Sequence, residues 1–402
     1  MKQNQRLSYC LLVGAVTIVM SGCGRPTSDT RTPPSPPPGQ KESAPQPETK
    51  PKPPVTSSEP VTQKPKSKPV LDLKPFKVLD LDAGSSTTAI VYSRDGRRLA
   101  WSVGDSQHST CLVQINDCST DPTSPQLVKQ IPLHGWVWSM AFSASDDRLY
   151  VVTQSEWQES RFEPQATLES CLRVLSVPEL TEVAEPVRLR DYQIFCRVAV
   201  APDGSAIAVS GRDVKENGWV EFRDSSTLAQ QANVVVATRT PQSPGIDPDC
   251  IAYTPDGGSV ICAVAEKLHF IDSRSSAISS TLDIRLGAYC FAVSPDGQRL
   301  AVLGPGEHQF LIDAAKQKVL GKPELWHLGS KQQFPTRYIA YSPDGAYLAT
   351  RGEILDAKTL KTLGKMRDDS LAFKQCIFSP KGALLVTAGR EIRFWDLSPL
   401  TP

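Results

Sequence analysis

A single unit recurs along this chain, and few folds can absorb a unit repeated so often. Phe291–Val302 reads FAVSPDGQRLAV, Ile339–Thr350 reads IAYSPDGAYLAT and Ile251–Cys262 reads IAYTPDGGSVIC. Val198–Gly204 (VAVAPDG) and Cys376–Gly382 (CIFSPKG) match them. Ile90–Gly96 (IVYSRDG) keeps the turn without its proline, and Met140–Asp146 (MAFSASD) is the most degenerate copy. The anchor residues are Ser93, Ser143, Ala201, Thr254, Ser294, Ser342 and Ser379, at spacings of 50, 58, 53, 40, 48 and 37 residues. A period of this size marks an array of small units, none of which buries its apolar face alone.

Two short apolar runs flank each Pro-Asp-Gly. Pro presets φ at one turn position and Gly accepts a positive φ, so the chain doubles back as a hairpin. Ala recurs two residues ahead of the anchor (Ala141, Ala199, Ala252, Ala292, Ala340), between larger residues such as Met140 and Phe142. A small residue between large ones suits a strand packed on both faces. A third run follows, mostly closed by Asp, as in Val220–Asp224, Leu268–Asp272, Phe310–Asp313 and Ile392–Asp396. A fourth follows that, as in Leu127–Leu133, Ile278–Leu286 or Lys316–Leu320. Four strands per unit, seven times over, describe an all-β, seven-bladed β-propeller. Only six residues follow Asp396, too few for a last fourth strand, whereas Phe76–Asp82 is an orphan strand at the other end. The N-terminal strand is therefore expected to complete the last blade and hide its sheet edge.

Phe394-Trp395-Asp396 and the repeated Ser-Pro-Asp-Gly make the chain resemble the WD-repeat family over roughly Phe76–Leu397. It departs from the pattern in having one Trp-Asp pair and one His-Gly (His134-Gly135) ahead of a first strand. The buried His–Ser–Trp network of tight WD repeats therefore cannot recur in every blade. The resemblance implies partners bound on the face shared by two sets of loops, those before first strands and those between second and third strands. The longest insert there is Thr153–Ser170, carrying Trp157, Arg161 and Phe162. First-strand starts add Trp136, Trp138, Arg197, Tyr289, Arg337 and Tyr338. Aromatic residues with Arg are the usual composition of interface anchors. The competing reading is that Trp138, Tyr289 and Tyr338 fill the rim between blades.

The N-terminus has a different character. Lys2 and Arg6 precede an uncharged stretch, Tyr9–Met20, which is followed by Ser21-Gly22-Cys23. Basic, apolar, then small is the layout of an export signal. At about 1.5 Å per residue the apolar part reaches roughly 18 Å, short of the roughly 30 Å hydrocarbon core. Its end resembles the lipobox of bacterial lipoproteins, with Met20 in place of the usual Leu. That implies a removed signal over 1–22 and a lipidated Cys23. Fifteen prolines lie between Gly24 and Pro75, with no Phe, Trp or Tyr before Phe76. A segment without large apolar side chains cannot offset the entropy of ordering its backbone. Residues 23–75 are therefore expected to form a disordered tether, and 76–402 the propeller. Gly24 after the acylated cysteine favours, by analogy with Gram-negative sorting, the outer membrane facing the periplasm.

Charge and missing motifs narrow the function. Residues 1–75 carry 11 Lys/Arg against 5 Asp/Glu, and the remainder 33 against 38. A mildly acidic body lacks the basic face that nucleic acid needs. No Gly-x-Ser-x-Gly, His-Glu-x-x-His, Cys-x-x-Cys or P-loop is present, so no catalytic motif, metal site or cofactor is expected. The five histidines are scattered, and His269 and His308 read as strand filler. Cys111 and Cys171 are placed at third-strand starts and Cys196, Cys250 and Cys290 at first-strand starts, with Cys262 closing a second strand. Connectivity is not fixed by sequence, and buried thiols are an equal alternative; Cys171–Cys196 is the first disulfide to test. The reading that follows is a lipid-anchored, extracytoplasmic protein-binding scaffold. Its rivals are a lactonase- or dehydrogenase-like propeller enzyme with a site in the central channel, and a part of outer-membrane assembly or Tol-type machinery.

Overall fold

The computed structural model describes residues 69–400 except 105–109, 155–169, 190–191, 214, 216, 239, 241–247, 285–287, 289, 305–307, 326–337, 351 and 367–374. The export signal, Cys23 and most of the tether lie outside the described residues.

Two strands, β1 (Leu71–Leu73) and β2 (Lys77–Asp80), precede the first complete blade. Blade one is β3 (Ser86–Tyr92), β4 (Arg98–Gly104), β5 (Thr110–Asp117) and β6 (Gln126–His134). Blade two is β7 (Trp136–Phe142), β8 (Arg148–Gln154), β9 (Ser170–Ser176) and β10 (Val187–Leu189). Blade three is β11 (Tyr192–Val200), β12 (Ala206–Asp213), β13 (Gly218–Asp224) and β14 (Gln230–Ala237). Blade four is β15 (Pro248–Tyr253), β16 (Ser259–Val264), β17 (Lys267–Asp272) and β18 (Ile278–Asp283). Blade five is β19 (Cys290–Val293), β20 (Arg299–Leu303), β21 (His308–Asp313) and β22 (Lys318–Leu325). Blade six is β23 (Ala340–Tyr341), β24 (Tyr347–Thr350), β25 (Glu353–Asp356) and β26 (Thr362–Met366). Blade seven is β27 (Gln375–Phe378), β28 (Leu384–Ala388) and β29 (Glu391–Asp396), with β2 as its fourth strand. Each first strand neighbours the next, and β27 returns to β3, so the seven sheets close a circle. Second strands such as β8 and β12 are almost wholly buried between blades, whereas fourth strands such as β6 are mostly exposed at the perimeter.

The closure is the one expected. β2 runs antiparallel to β29, with Lys77 opposite Phe394 and Asp80 opposite Glu391. Phe76 N–H donates to the Phe394 carbonyl at 3.0 Å. The tether boundary needs correction: Leu71–Leu73 lies within 23–75 yet forms a fifth strand of blade six, parallel to β26. Leu71 and Leu73 alternate with Asp72, so one face of this short segment is apolar. Leu73 is only 6% exposed and packs among Met366, Trp395 and Leu397. A Cβ on Gly364 would approach the Leu73 Cδ1 to 2.9 Å, so that glycine makes the room.

The repeated turn has a physical role at each position. In blades one, four, five and six the anchor hydroxyl of Ser93, Thr254, Ser294 or Ser342 donates to the turn Asp at 2.5–2.7 Å. It also accepts the N–H of the residue that opens the second strand (Arg98, Ser259, Arg299, Tyr347). The Thr254 hydroxyl and Gly258 N–H hold the Asp256 carboxyl below its ordinary range. Three turn glycines at positive φ face the proline of the preceding blade: Gly257 meets Pro202, Gly297 meets Pro255 and Gly345 meets Pro295, at 3.4–3.5 Å from a built Cβ, whereas Gly204 meets Ala144. The two degenerate copies are complementary. Arg94 replaces proline in blade one and so has an N–H, and Asp146 replaces glycine in blade two at φ 60°. The Asp146 carboxylate accepts the N–H groups of Arg94 and Asp95 at 2.7 and 2.9 Å. A Cβ on Gly382 of blade seven would meet nothing within 4 Å, so the turn contact is lost between blades six and seven.

The WD-type pair survives in blade seven, where Trp395 Nε1 donates to Thr387 Oγ1 at 3.0 Å in a fully buried setting. Blade six keeps the hydroxyl, Thr350, but has Leu355 where the indole would be. Blade three places Arg223 there, ion-paired with the buried Glu221 and donating to the Leu228 carbonyl at 2.6 Å. A buried ion is tolerable only when so paired.

Two outcomes are expected. Leu73→Ala should destabilise the fold by about 2–4 kcal/mol in denaturant titration, as a buried leucine does, whereas exposed Val70→Ala should leave it unchanged. The hydroxyls of Tyr92 and Tyr253 are buried without a hydrogen-bond partner among the described residues, and burial pushes both phenols far up. Blades two and seven carry Phe142 and Phe378 at the same offset from their anchors. Removing an unsatisfied hydroxyl relieves a desolvation cost, so Tyr92→Phe and Tyr253→Phe should match or exceed the parent melting temperature.

Candidate interaction rim

The first-strand starts gather on the face opposite the Pro-Asp-Gly turns, and their geometry is irregular in a regular way. β3, β7 and β15 each slip register once, between Thr87 and Ala89, Val137 and Ser139, and Pro248 and Cys250. The residues passed over, Thr88, Trp138 and Asp249, all stand five positions ahead of their anchors. β11 slips twice between Tyr192 and Arg197. A bulge bends its strand, and here the bulges fall at matched points around the circle.

Side chains at these points connect one blade to the next. Arg197 Nη1 donates to the Trp138 carbonyl at 3.1 Å, and Val198 N–H to Ser139 Oγ at 3.2 Å. Gln375 Nε2 donates to the Thr88 carbonyl at 2.8 Å and to Tyr338 OH at 3.5 Å. Trp138 Nε1 donates to Gln154 Oε1 at 2.8 Å. The Trp136 and Trp138 rings meet edge to face at 6.5 Å, a favourable aromatic geometry. Trp136 also packs against blade one, where a Cβ on Gly104 would come 2.6 Å from its ring.

Of the residues singled out by sequence, Trp136, Trp138, Arg197 and Tyr338 are all half-buried on this rim. Trp138 and Arg197 are joined across the seam between blades two and three, and Tyr338 meets Gln375 across the seam between blades six and seven. Rim packing and exposure therefore coexist in the same side chains. Trp157, Arg161, Phe162, Tyr289 and Arg337 lie outside the described residues. Gln154, Gln375 and Thr88, which complete the connections, were not singled out; their signal is a polar residue four or five positions before an anchor or closing a second strand.

The Cys171–Cys196 disulfide is not formed. Cys196 lies within β11, which begins at Tyr192, and packs among Val152, Leu172 and Val174 of blade two. Cys171 precedes Leu172, and adjacent strand residues point to opposite faces, so its side chain leaves on the far side of β9. The neighbour that reaches the Cys196 thiol is Ser170, and burial pushes that thiol up to about 12. Cys250 and Cys290 bring their sulfurs to 3.8 Å. Cys262 lies mid-strand in β16 rather than at its close.

His269 is buried in β17, with Nδ1 3.0 Å from Thr281 Oγ1, and burial lowers its pKa. Among the described residues no three His, Cys, Asp or Glu side chains converge as a metal-binding group. A groove of about 720 Å³ lies on the turn face, lined by residues including Asp95, Asp117, Asp147, Arg97 and Lys381. Its charges largely serve the turns themselves.

No family model matches the chain, and no curated protein matches it. Among solved structures it is similar to the β-propeller domain of Myceliophteria thermophila Cps50 (Swd1), with a TM-score of 0.58 and 17% sequence identity. The similarity covers 81% of this chain and 99% of that one. At that identity the likeness is one of fold: the chain is a seven-bladed, WD-repeat-like β-propeller.

Proposed function

We propose that this protein is an exported, lipid-anchored scaffold that captures a protein partner on the rim of its propeller and catalyses no reaction. The rim carries the reading. Trp136 and Trp138 stack edge to face beside Arg197, all three half-buried. Rigid aromatics and Arg, already ordered before binding, lose little entropy on docking. The seven-blade circle supports the same reading, since propellers of this kind commonly serve as protein-binding platforms. The anchor rests on the sequence: Lys2, Arg6, the apolar run and Ser21-Gly22-Cys23 supply the signal, and Cys23 the acyl attachment. The Pro-rich segment behind it would hold the propeller away from an outer membrane, on its periplasmic side. A place in outer-membrane assembly or Tol-type machinery is one form of this role.

Two arms of one experiment test it. In cells fed labelled palmitate the parent chain should take up label and Cys23→Ala should not; equal labelling rejects the anchor. Crosslinking in the intact envelope, with mass spectrometry, should recover a specific partner from the parent chain. Trp138→Ala should weaken that partner's binding about 30-fold, the scale of a central interface anchor, with the melting temperature showing the propeller intact. Unchanged binding by a folded Trp138→Ala protein rejects the rim as the docking surface.

A further inference from the structure

Blades four and five open with a cysteine at the same place, four residues ahead of the anchors Thr254 and Ser294. The other blades have Ala89, Ser139, Arg197, Tyr338 and Gln375 at that offset. The strands β15 and β19 run beside one another, and the Cys250 and Cys290 sulfurs lie 3.8 Å apart. Both thiols also point at one acceptor, the Phe291 carbonyl, at 3.5 and 3.7 Å. Cys290 is 8% exposed and Cys250 is half-buried, so one thiol is accessible and the other is shielded directly behind it.

We propose that Cys250 and Cys290 form a disulfide across the seam between blades four and five when a donor disulfide is supplied. The more exposed Cys250, as thiolate, attacks one sulfur of the donor; the donor bond breaks and its first thiolate leaves. Cys290 then gives its proton to solvent, and its sulfur displaces the second donor thiolate from Cys250. Two protein thiols and one donor disulfide become one protein disulfide and two donor thiols. The protein loses two electrons and the donor gains them. The hydrogen bond to Cys250, with burial, holds the Cys290 thiol well above its ordinary range, which suits it to the second step rather than the first. A disulfide is about 2.04 Å long, so the sulfurs must close by roughly 1.8 Å; side-chain rotation with a small strand shift supplies that. The bond would clamp two first strands at the mouth of the channel, on the rim described above. It stands on geometry alone and holds whether or not the export reading does.

The test uses the full-length chain, reduced and then incubated with glutathione disulfide. The chain should lose about 2 Da for the new bond, and a proteolytic map should join the Cys250 and Cys290 peptides. Fragmentation must place the link on Cys250 rather than Cys262, because no Lys or Arg separates those two. The oxidised chain should melt several degrees above the reduced one, since the cross-link constrains the unfolded state. Cys250→Ser should abolish both the mass loss and the shift, and Cys376→Ser should retain both. Glutathione left attached to Cys250 without an intramolecular bond would overturn the proposal, as would a link mapping to another pair.

Discussion

The arm Leu71–Asp80 is what closes this molecule. A propeller built in chain order leaves its last blade one strand short, and β29 would then present an open edge to any passing strand. β2 fills that edge in register. The same arm serves a second need. Between blades six and seven the glycine-on-proline contact that ties neighbouring turns together is missing at Gly382. Here β1 lies along β26, Leu73 packs against Trp395 and Leu397, and Tyr347 of blade six donates to the Leu400 carbonyl at 3.0 Å. Both chain ends thus converge on the one junction where the repeat's own contact fails. The remaining seams keep a contact at the turn: glycine on proline at most of them, Gly204 on Ala144 between blades two and three, and the Asp146 carboxylate on two N–H groups between blades one and two.

Much of this was legible because the physics repeats. The Pro-Asp-Gly turn has one structural meaning, and four exact copies with three variants of it at matching places fix a blade count without any long-range information. The orphan strand at Phe76–Asp82 was legible for the same reason: it was the piece left over. What the repeat could not reveal lies in its exceptions. Arg94 and Asp146 look like decay of the motif when each is read alone. Together they exchange a proline-on-glycine contact for a carboxylate on two N–H groups. Pairing across blades is invisible to a reading that aligns each unit with itself. β1 was missed because three residues, LDL, carry too little pattern to stand out from the proline-rich segment before them.

The rim was legible in part. Counting back from the anchors placed Trp136, Trp138, Arg197 and Tyr338 on one face, and the structure has them there. The disulfide choice failed on a finer point. Cys171 and Cys196 do come to adjoining blades, but strand alternation turns Cys171 away and sets Ser170 against Cys196. A register difference of one residue decides such contacts. Cys250 and Cys290 succeed by the same rule, since equal offsets on equivalent strands place side chains alike.

Closure by the N-terminal arm is most directly tested by hydrogen exchange across rising denaturant on the intact chain. If β2 is an integral strand of blade seven, the amides of Lys77–Asp80 will exchange slowly and lose protection together with those of β27–β29. Exchange of Lys77–Asp80 at unfolded-chain rates, while β29 stays protected, would show that the circle is held shut by something else.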